Sequence, residues 1–310
     1  STLTIAPKTA STTIALGSSA TGVLKLDDTE LAYLQAGFTS ITFGSATGTG
    51  AIAVDFATPP TFANAIIIQS KYSSATGGAI TVSDALNTGT NALTIRSSGA
   101  VSVAAITSGT LAITGTGITL NGNITTSGTQ SYTGAVTLGA DVTLASTGNA
   151  STGNTVSFSS TIDGAKAFTV NAGVGAITFN STIGATTNLS SLSLTTTHAT
   201  GITLSGNITT TGSQTYNGAT TLAATPITLT TTNSDVSFGG TLNGNAASRA
   251  LTIAAGIGSV TFTGAVGGGT PLGAVAITAA TTTNSSTWVG SSTLGITGNA
   301  VINGAISGIT

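Results

Sequence analysis

The sequence predicts an all-β chain wound as a parallel β-solenoid, and three observations lead to this prediction. Residues 117–138 and 201–222 are identical at 16 of 22 positions, an internal repeat. Thr (67 of 310 residues) and Gly (42) dominate, which favours strands and tight turns. Apolar–hydroxyl–apolar triplets such as Ile118–Leu120 recur between clusters of Gly, Asn and Ser. Repetition of short strands is typical of stacked coils that bury their apolar faces against one another.

The amino-acid composition excludes several classes of protein and of binding partner. Only 5% of residues are charged, against about 25% in ordinary globular proteins, and the net charge is −2. With 40% hydrophobic residues the chain does not have the composition of a disordered protein. The 6 Lys and Arg residues are scattered, so nucleic acid is not an expected partner. Cys is absent, which excludes disulfides and thiolate metal sites.

Targeting signals are not evident. No run of about 20 apolar residues occurs, so we expect no membrane-spanning helix. The chain begins at Ser1 without a signal-peptide pattern. Because it also lacks Met, we expect a processed product or an interior piece of a longer protein.

Residues 1–116 form the least regular part of the predicted solenoid. A helical turn is expected near residues 28–35, where Leu31 and Leu34 lie three apart on one face. Pro59 and the proline after it exclude a central strand at that point. The acidic residues around the turn are assigned to a structural cap rather than to catalysis: Asp27, Asp28 and Glu30.

The remaining chain divides by its repeats. Residues 117–200 form a first solenoid repeat and residues 201–283 a second. Residues 284–310 are expected to start a further repeat or form an end coil. Each repeat is expected to hold about four coils of roughly 20 residues. Stacked coils would lie about 4.8 Å apart.

No catalytic, cofactor or metal site is predicted. Acid–base hydrolysis needs two converging carboxylates, whereas the acids outside the cap cluster are isolated in the sequence. His198, the single histidine, lies at a repeat boundary and is interpreted as a turn residue. The cap cluster offers too few oxygens for calcium, which takes six or more.

Three aromatic residues are candidate contact residues: Tyr132, Tyr216 and Trp288. The two tyrosines occupy the same position of the repeat, each two residues after a glutamine. They would serve either as exposed platforms for sugars or as packed aromatics, and packing is the favoured interpretation. Trp288 would mark a contact surface.

Two segments resemble a known family. Residues 24–54 contain an acidic helical turn, then Gly37–Gly44 (GFTSITFG) and Gly48–Val54 (GTGAIAV). This arrangement is similar to a segment of large bacterial surface exoproteins of the filamentous-haemagglutinin type. The Thr/Gly-rich stretch 118–144 also resembles the repeat arrays of such proteins.

The resemblance implies a right-handed parallel β-helix that is exported to the surface of a Gram-negative bacterium. It also implies a role in adhesion or in a surface fibre, with no catalytic residues to carry over. The secretion domain of those exoproteins is not recognisable in this sequence.

The function expected from the sequence is therefore structural or adhesive, at the cell surface or outside the cell, and not enzymatic. Residues 250–310 carry no charged side chain, so we expect the solenoid ends to continue into more chain or to stack on another copy as a filament. A carbohydrate-binding or carbohydrate-cleaving β-helix is the alternative. An ice-binding solenoid is a minor alternative, because Thr-x-Thr motifs recur but at irregular offsets.

Overall fold

A computed structural model describes residues 1–73, 77–148, 154–290 and 292–309. It divides into two compact units, Ser1–Gly148 (unit 1) and Asn149–Thr310 (unit 2). The described residues are nearly all β, and parallel sheets stack as a β-solenoid of about 12 turns. The predicted fold class is thereby confirmed.

Unit 1 contains one short helix, α1, among its described residues, at Asp28–Ala32. Most of its strands are short and separated by turns, as the triplets predict, and the longest are Leu111–Leu120 and Gln130–Leu138. They are β1 (Thr2–Ile5), β2 (Ile14–Leu16), β3 (Leu24–Leu26), β4 (Ser40–Gly44), β5 (Ile52–Val54), β6 (Ala65–Gln69), β7 (Ile80–Val82), β8 (Leu86–Asn87), β9 (Leu93–Arg96), β10 (Val101–Val103), β11 (Ile106–Ser108), β12 (Leu111–Leu120), β13 (Ile124–Thr126), β14 (Gln130–Leu138) and β15 (Val142–Ser146).

Unit 2 has no helix among its described residues. Its strands are β16 (Val156–Phe158), β17 (Ile162–Asp163), β18 (Ala167–Asn171), β19 (Ile177–Phe179), β20 (Ser191–Thr195), β21 (Ile202–Leu204), β22 (Ile208–Thr209), β23 (Gln214–Asn217), β24 (Thr220–Leu222), β25 (Ile227–Thr230), β26 (Val236–Phe238), β27 (Leu242–Gly244), β28 (Arg249–Ala254), β29 (Ser259–Phe262), β30 (Leu272–Asn284), β31 (Trp288–Val289), β32 (Leu294–Ile302) and β33 (Ile306–Ser307).

Strands of successive coils pair in parallel, and inward-facing apolar residues stack into ladders. In unit 1 one ladder runs through β2, β5, β7, β10, β12 and β14. Every member is buried, so the apolar face of each coil covers that of the next. The ladder comprises Ile14, Ile52, Ile80, Val101, Ile118 and Val136.

Corners between strands fix where the chain turns. β12 and β14 are continuous strands that bend in the middle, with a register shift between Thr114 and Gly117. At the bend of β14, Gly134 has φ of +132°, and a Cβ there would meet the carbonyl oxygen of Gly115. Only glycine fits this corner, because it combines positive φ with a close approach of two backbones.

Coil length varies in the turns and not in the ladders. Stacked residues Ile66 and Leu93 are 27 positions apart, whereas Leu93 and Leu111 are 18 apart. The extra residues lie in the turns between strands. Coils longer than about 20 residues, such as the one between Ile66 and Leu93, lower the number of turns to about 12 from the larger number that uniform coils of roughly 20 residues would give.

Unit 2 adds an aromatic stack to its core. Tyr216 and Phe238 stack at 4.8 Å between ring centroids, and Phe238 and Phe262 stack at 5.3 Å. Trp288 meets Phe262 edge-on at 5.1 Å. Because strand spacing is about 4.8 Å, equivalent aromatics on neighbouring coils fall naturally into this geometry.

The division into units follows contacts between residues, whereas the repeat boundaries follow the sequence and stay a prediction. The boundary falls inside residues 117–200, the first repeat, and not at either end of it. In a solenoid each coil contacts only its neighbours, so a sequence duplication does not by itself create a contact boundary.

Candidate functional site

The three candidate contact residues lie in the core. Tyr132, Tyr216 and Trp288 are 1%, 0% and 1% exposed. They face the interior because each stands on the apolar side of its strand, where the pattern of alternate burial places it. Burial of the two tyrosines agrees with their interpretation as packed aromatics, whereas the expectation that Trp288 marks a contact surface is wrong, because its ring is buried.

Tyr132 belongs to a buried polar network in unit 1. Its hydroxyl donates to Oε1 of Gln130 at 2.9 Å. Gln130 Nε2 donates to the Thr126 hydroxyl at 3.1 Å and to the Ala145 carbonyl at 2.9 Å. The Thr126 hydroxyl in turn donates to the Gly128 carbonyl at 2.6 Å. The side-chain amide thus joins two coils within the core.

The same network is built again in unit 2. The Tyr216 hydroxyl donates to Gln214 Oε1 at 2.8 Å. Gln214 Nε2 donates to the Thr210 hydroxyl at 3.3 Å and to the Thr230 carbonyl at 2.9 Å. Burial raises the pKa of both tyrosines far above the usual range, so both phenols stay neutral. Both copies of the internal repeat therefore contain the same buried hydrogen-bond network.

The predicted acidic cluster forms a helix cap. Asp27 is the N-cap of α1: its Oδ1 accepts from the Glu30 amide at 2.8 Å, and Glu30 Oε2 accepts from the Asp27 amide at 3.0 Å. This reciprocal pair is a capping box. It holds the helix so that Leu31 is buried.

Asp28 joins three segments of unit 1. Its Oδ1 accepts from the Ser18 amide at 2.8 Å, and its Oδ2 accepts from the amides of Ala57 and Thr58 at 3.0 and 2.8 Å. Desolvation tends to raise the pKa of Asp28, but hydrogen bonds from Ser18, Thr58 and Ala57 outweigh it and hold that pKa below its usual value. The carboxylate therefore connects α1 to the turn at Ser18 and to the turn at Ala57 and Thr58.

Turn residues in unit 2 connect one coil to the next through side-chain oxygens. Asp163 Oδ1 accepts from the amides of Thr186 and Thr187 at 2.8 and 3.0 Å. Asn243 Oδ1 accepts from two consecutive amides, those of Gly269 and Thr270, at 2.9 and 3.2 Å. An uncharged carboxamide therefore performs the same task as the carboxylate.

The two repeats share a similar connection between coils. Asn123 Oδ1 accepts from the Thr143 amide at 2.8 Å, and Asn207 Oδ1 accepts from the Thr228 amide at 2.9 Å. These asparagines occupy equivalent repeat positions. Asn and Asp at the turns thus serve mainly as acceptors for the backbone of the following coil.

One pair of carboxyl groups was missed in the sequence. Asp55 and Asp84 lie 29 positions apart but meet because β5 and β7 are stacked neighbours. A hydrogen bond to Asp84, followed by desolvation and charge repulsion, raises the pKa of Asp55. Asp84 Oδ2 also accepts from the Phe56 amide at 2.9 Å. The stacking of these two turns is the signal that could have revealed the pair.

His198 Nδ1 accepts from the Thr200 amide at 3.0 Å, a local turn contact. In the described ranges, no group of three or more His, Asp or Glu side chains is placed to hold a metal ion.

None of the described ranges includes a helix that could cross a bilayer, since α1 has 5 residues.

A regular surface feature of unit 2 is a column of hydroxyls, here called the hydroxyl ladder. Its members are outward-facing ladder neighbours on β18, β20, β23, β26, β29 and β30. The Ser237 hydroxyl donates a long hydrogen bond of 3.4 Å to the Thr215 hydroxyl. The hydroxyls of the other members form no side-chain hydrogen bond in the described structure. The hydroxyl ladder consists of Thr169, Ser193, Thr215, Ser237, Thr261 and Thr283.

Comparisons with protein-family models, with curated proteins and with solved structures find no match. The likeness to filamentous-haemagglutinin-type exoproteins therefore stands on the sequence motifs alone. The structure shows a β-solenoid, as expected of a β-helix repeat protein.

Proposed function

We propose that this chain is a structural and adhesive protein of a bacterial surface, in which stacked coils form a resistant scaffold. The observation that carries the proposal is the use of the polar side chains. The carboxylates of Asp28, Asp84, Asp163 and Asp235 all accept hydrogen bonds from backbone amides. Each of these carboxylates is used as an acceptor for the amides of a turn, which is a structural task. We accordingly propose no catalytic activity.

Association with itself is the second part of the proposal. β32 pairs with β30 along one edge, and within the described residues its other edge has no strand partner. Val301, Ile302 and Ile306 in this region are 43%, 40% and 40% exposed. An unpaired strand edge with apolar side chains favours pairing with another strand, supplied by more chain or by a second copy. No charge between residues 250 and 310 opposes that contact.

Adhesion is testable with beads coated with the purified protein. We expect coated beads to aggregate, because low net charge and exposed apolar residues favour contact between copies. Ile306→Lys should reduce aggregation by placing a charge in the proposed contact. Ile257→Lys is the matched control, since Ile257 is exposed in a turn elsewhere in unit 2. Beads that stay dispersed with the unchanged protein would contradict self-adhesion.

A glycan array tests the carbohydrate alternative with the same protein. The three aromatic residues that could have contacted a sugar do not support this alternative, because all three rings are buried. We expect no binding above that of an unrelated protein. Specific binding to one glycan would move the proposal from self-adhesion to adhesion to a sugar.

The hydroxyl ladder supports ice binding as a second candidate function. The offsets between Thr-x-Thr motifs drift in the sequence, but the ladder keeps its members in register because the turns absorb the extra residues. A rigid column of hydroxyls about 4.8 Å apart is a periodic surface suited to a periodic ligand. No aromatic ring and no charge stands in the ladder itself.

Thermal hysteresis tests this second candidate. Thr215→Lys combined with Thr261→Lys should abolish any hysteresis, because two long charged side chains would interrupt the ladder. Thr252→Lys is the control, since Thr252 faces outward on a different column of unit 2. Absence of hysteresis in the unchanged protein would exclude ice binding.

A further inference from the structure

Three buried polar atoms in one part of unit 2 have no hydrogen-bond partner. They are the Thr282 hydroxyl, the Asn284 carboxamide oxygen and the Trp288 indole nitrogen. All three side chains are at most 1% exposed. Buried polar atoms in native proteins are bonded to protein or to ordered water with few exceptions. A cluster of three therefore points to a partner that is not a side chain.

The three groups belong to inward-facing positions of a single coil. Thr282 and Asn284 alternate on β30, and both face the core. Trp288 begins β31, the next strand of the same coil, and its ring meets Phe262 edge-on at 5.1 Å. Phe262 is the ladder neighbour of Asn284 on β29. The shared neighbour Phe262 places the indole and the carboxamide at one level of the interior.

The preceding coil has apolar residues at the same ladder positions. Val260 and Phe262 stack against Thr282 and Asn284, and Val266 stacks against Trp288. Replacing a phenyl ring by a carboxamide shortens the side chain that projects into the core. The same replacement introduces polar atoms, which an apolar core does not satisfy.

The hydrogen-bonding capacities of the three groups are complementary to one small molecule. The indole N–H of Trp288 only donates, and the free oxygen of Asn284 only accepts. The Asn284 amide group is already used, because Nδ2 donates to the Ser286 carbonyl at 2.6 Å. Thr282 can donate or accept. One donor, one acceptor and one hydroxyl are the two to four partners that a buried water molecule needs.

We propose that this level of unit 2 is a binding site for an ordered water molecule. The water accepts from Trp288 Nε1, donates to Asn284 Oδ1 and takes the Thr282 hydroxyl as its third partner. Its binding fixes the orientation of the indole ring that ends the aromatic stack. This site is independent of the proposed adhesive function.

Nuclear magnetic resonance can test the site directly, because Trp288 is the only tryptophan and gives one indole N–H signal. We expect a cross-peak between that N–H and a long-lived water. Thr282→Val, which removes one partner at nearly constant volume, should raise the indole exchange rate by roughly threefold, the equivalent of one weak hydrogen bond. Thr283→Val changes the outward-facing neighbour on β30 and should leave the rate unchanged.

Asn284→Phe supplies a second test, because it restores the residue type of the preceding coil. The water cross-peak should disappear in this variant while circular dichroism still reports the β-solenoid. The proposal is overturned if the unchanged protein shows a cross-peak from the indole to the Asn284 side chain and none to water. It is also overturned if the water cross-peak persists in Asn284→Phe.

Discussion

Two regions in the core of unit 2 differ in whether their buried polar side-chain atoms have hydrogen-bond partners in the protein. Around Gln214 and Tyr216, every polar side-chain atom of the network has a protein partner. Around Thr282, Asn284 and Trp288, three atoms have none. Both regions lie in the same interior and share one aromatic stack.

This contrast shows which part of the repeat sequence has a structural role in the core. The Gln–Tyr network occurs in both units with the same donors and acceptors. A buried network stabilises only when each member is satisfied, because an unpaired polar group in the core is destabilising. The cluster near Trp288 has no second copy in the described chain, and its stability depends on a partner that is not a side chain.

Gln214→Ala should have the largest effect on stability. It leaves the Tyr216 hydroxyl without its acceptor and opens a cavity in the core. We expect the free energy of unfolding to fall by about 3 kcal/mol, the combined result of a cavity and an unpaired buried group. Chemical denaturation followed by circular dichroism measures it. A loss below about 1 kcal/mol would mean that the network contributes little.

A pair of isosteric substitutions compares the two regions directly. Thr210→Val removes a hydroxyl that bonds to Gly212 and to Gln214, so we expect a loss of about 1–2 kcal/mol. Thr282→Val removes a hydroxyl without a protein partner, and we expect a change below about 1 kcal/mol. The thermal midpoints of the two variants provide the comparison. Equal losses would remove the distinction between the regions.

Asp28 extends the comparison to a fully partnered carboxylate in unit 1. Its folded pKa is lowered, so its contribution is present above the unfolded value of about 3.9 and is lost as the pH falls through the folded pKa. Asp28→Asn should lower the thermal midpoint at pH 7 and have a diminishing effect toward pH 2. Thermal melts across that range test this. A difference that does not change with pH would rule out the charged form as the source.

Asp55 is the contrasting carboxylate, with a like charge for a neighbour. Its folded pKa is raised by Asp84, so its favourable contribution is present at low pH and is lost as the pH rises through the folded pKa. Asp55→Asn should therefore raise the thermal midpoint slightly at pH 7. The gain should shrink toward pH 3, and a loss of stability at pH 7 would contradict this account. Asp84→Asn is the reciprocal variant, in which a carboxamide oxygen can still accept from Phe56.

Much of the fold could be predicted from local sequence. The triplet Ile118–Leu120 has period-2 alternation, and it forms the second half of β12 with both apolar residues buried. The acidic turn before Leu31 has the spacing of a capping box and forms one. In both cases the information lies within a few neighbouring residues, where backbone geometry dictates the result.

The site residues depend on information that is not local. Tyr216 lies two residues after Gln214, so alternation places both on one face, but the sequence does not say that this face is inward. Asp55 and Asp84 meet only because the chain between β5 and β7, which includes β6, completes one coil and brings the ends of these two strands together. Because the turns differ in length, a fixed sequence offset does not identify which residues stack on one another.

Cryo-electron microscopy of the purified protein over a range of concentrations tests whether the stacked β-solenoid serves as a self-associating structural element. We expect filaments that lengthen with concentration and repeat at about 4.8 Å along their axis. Single dispersed molecules at every concentration would contradict it.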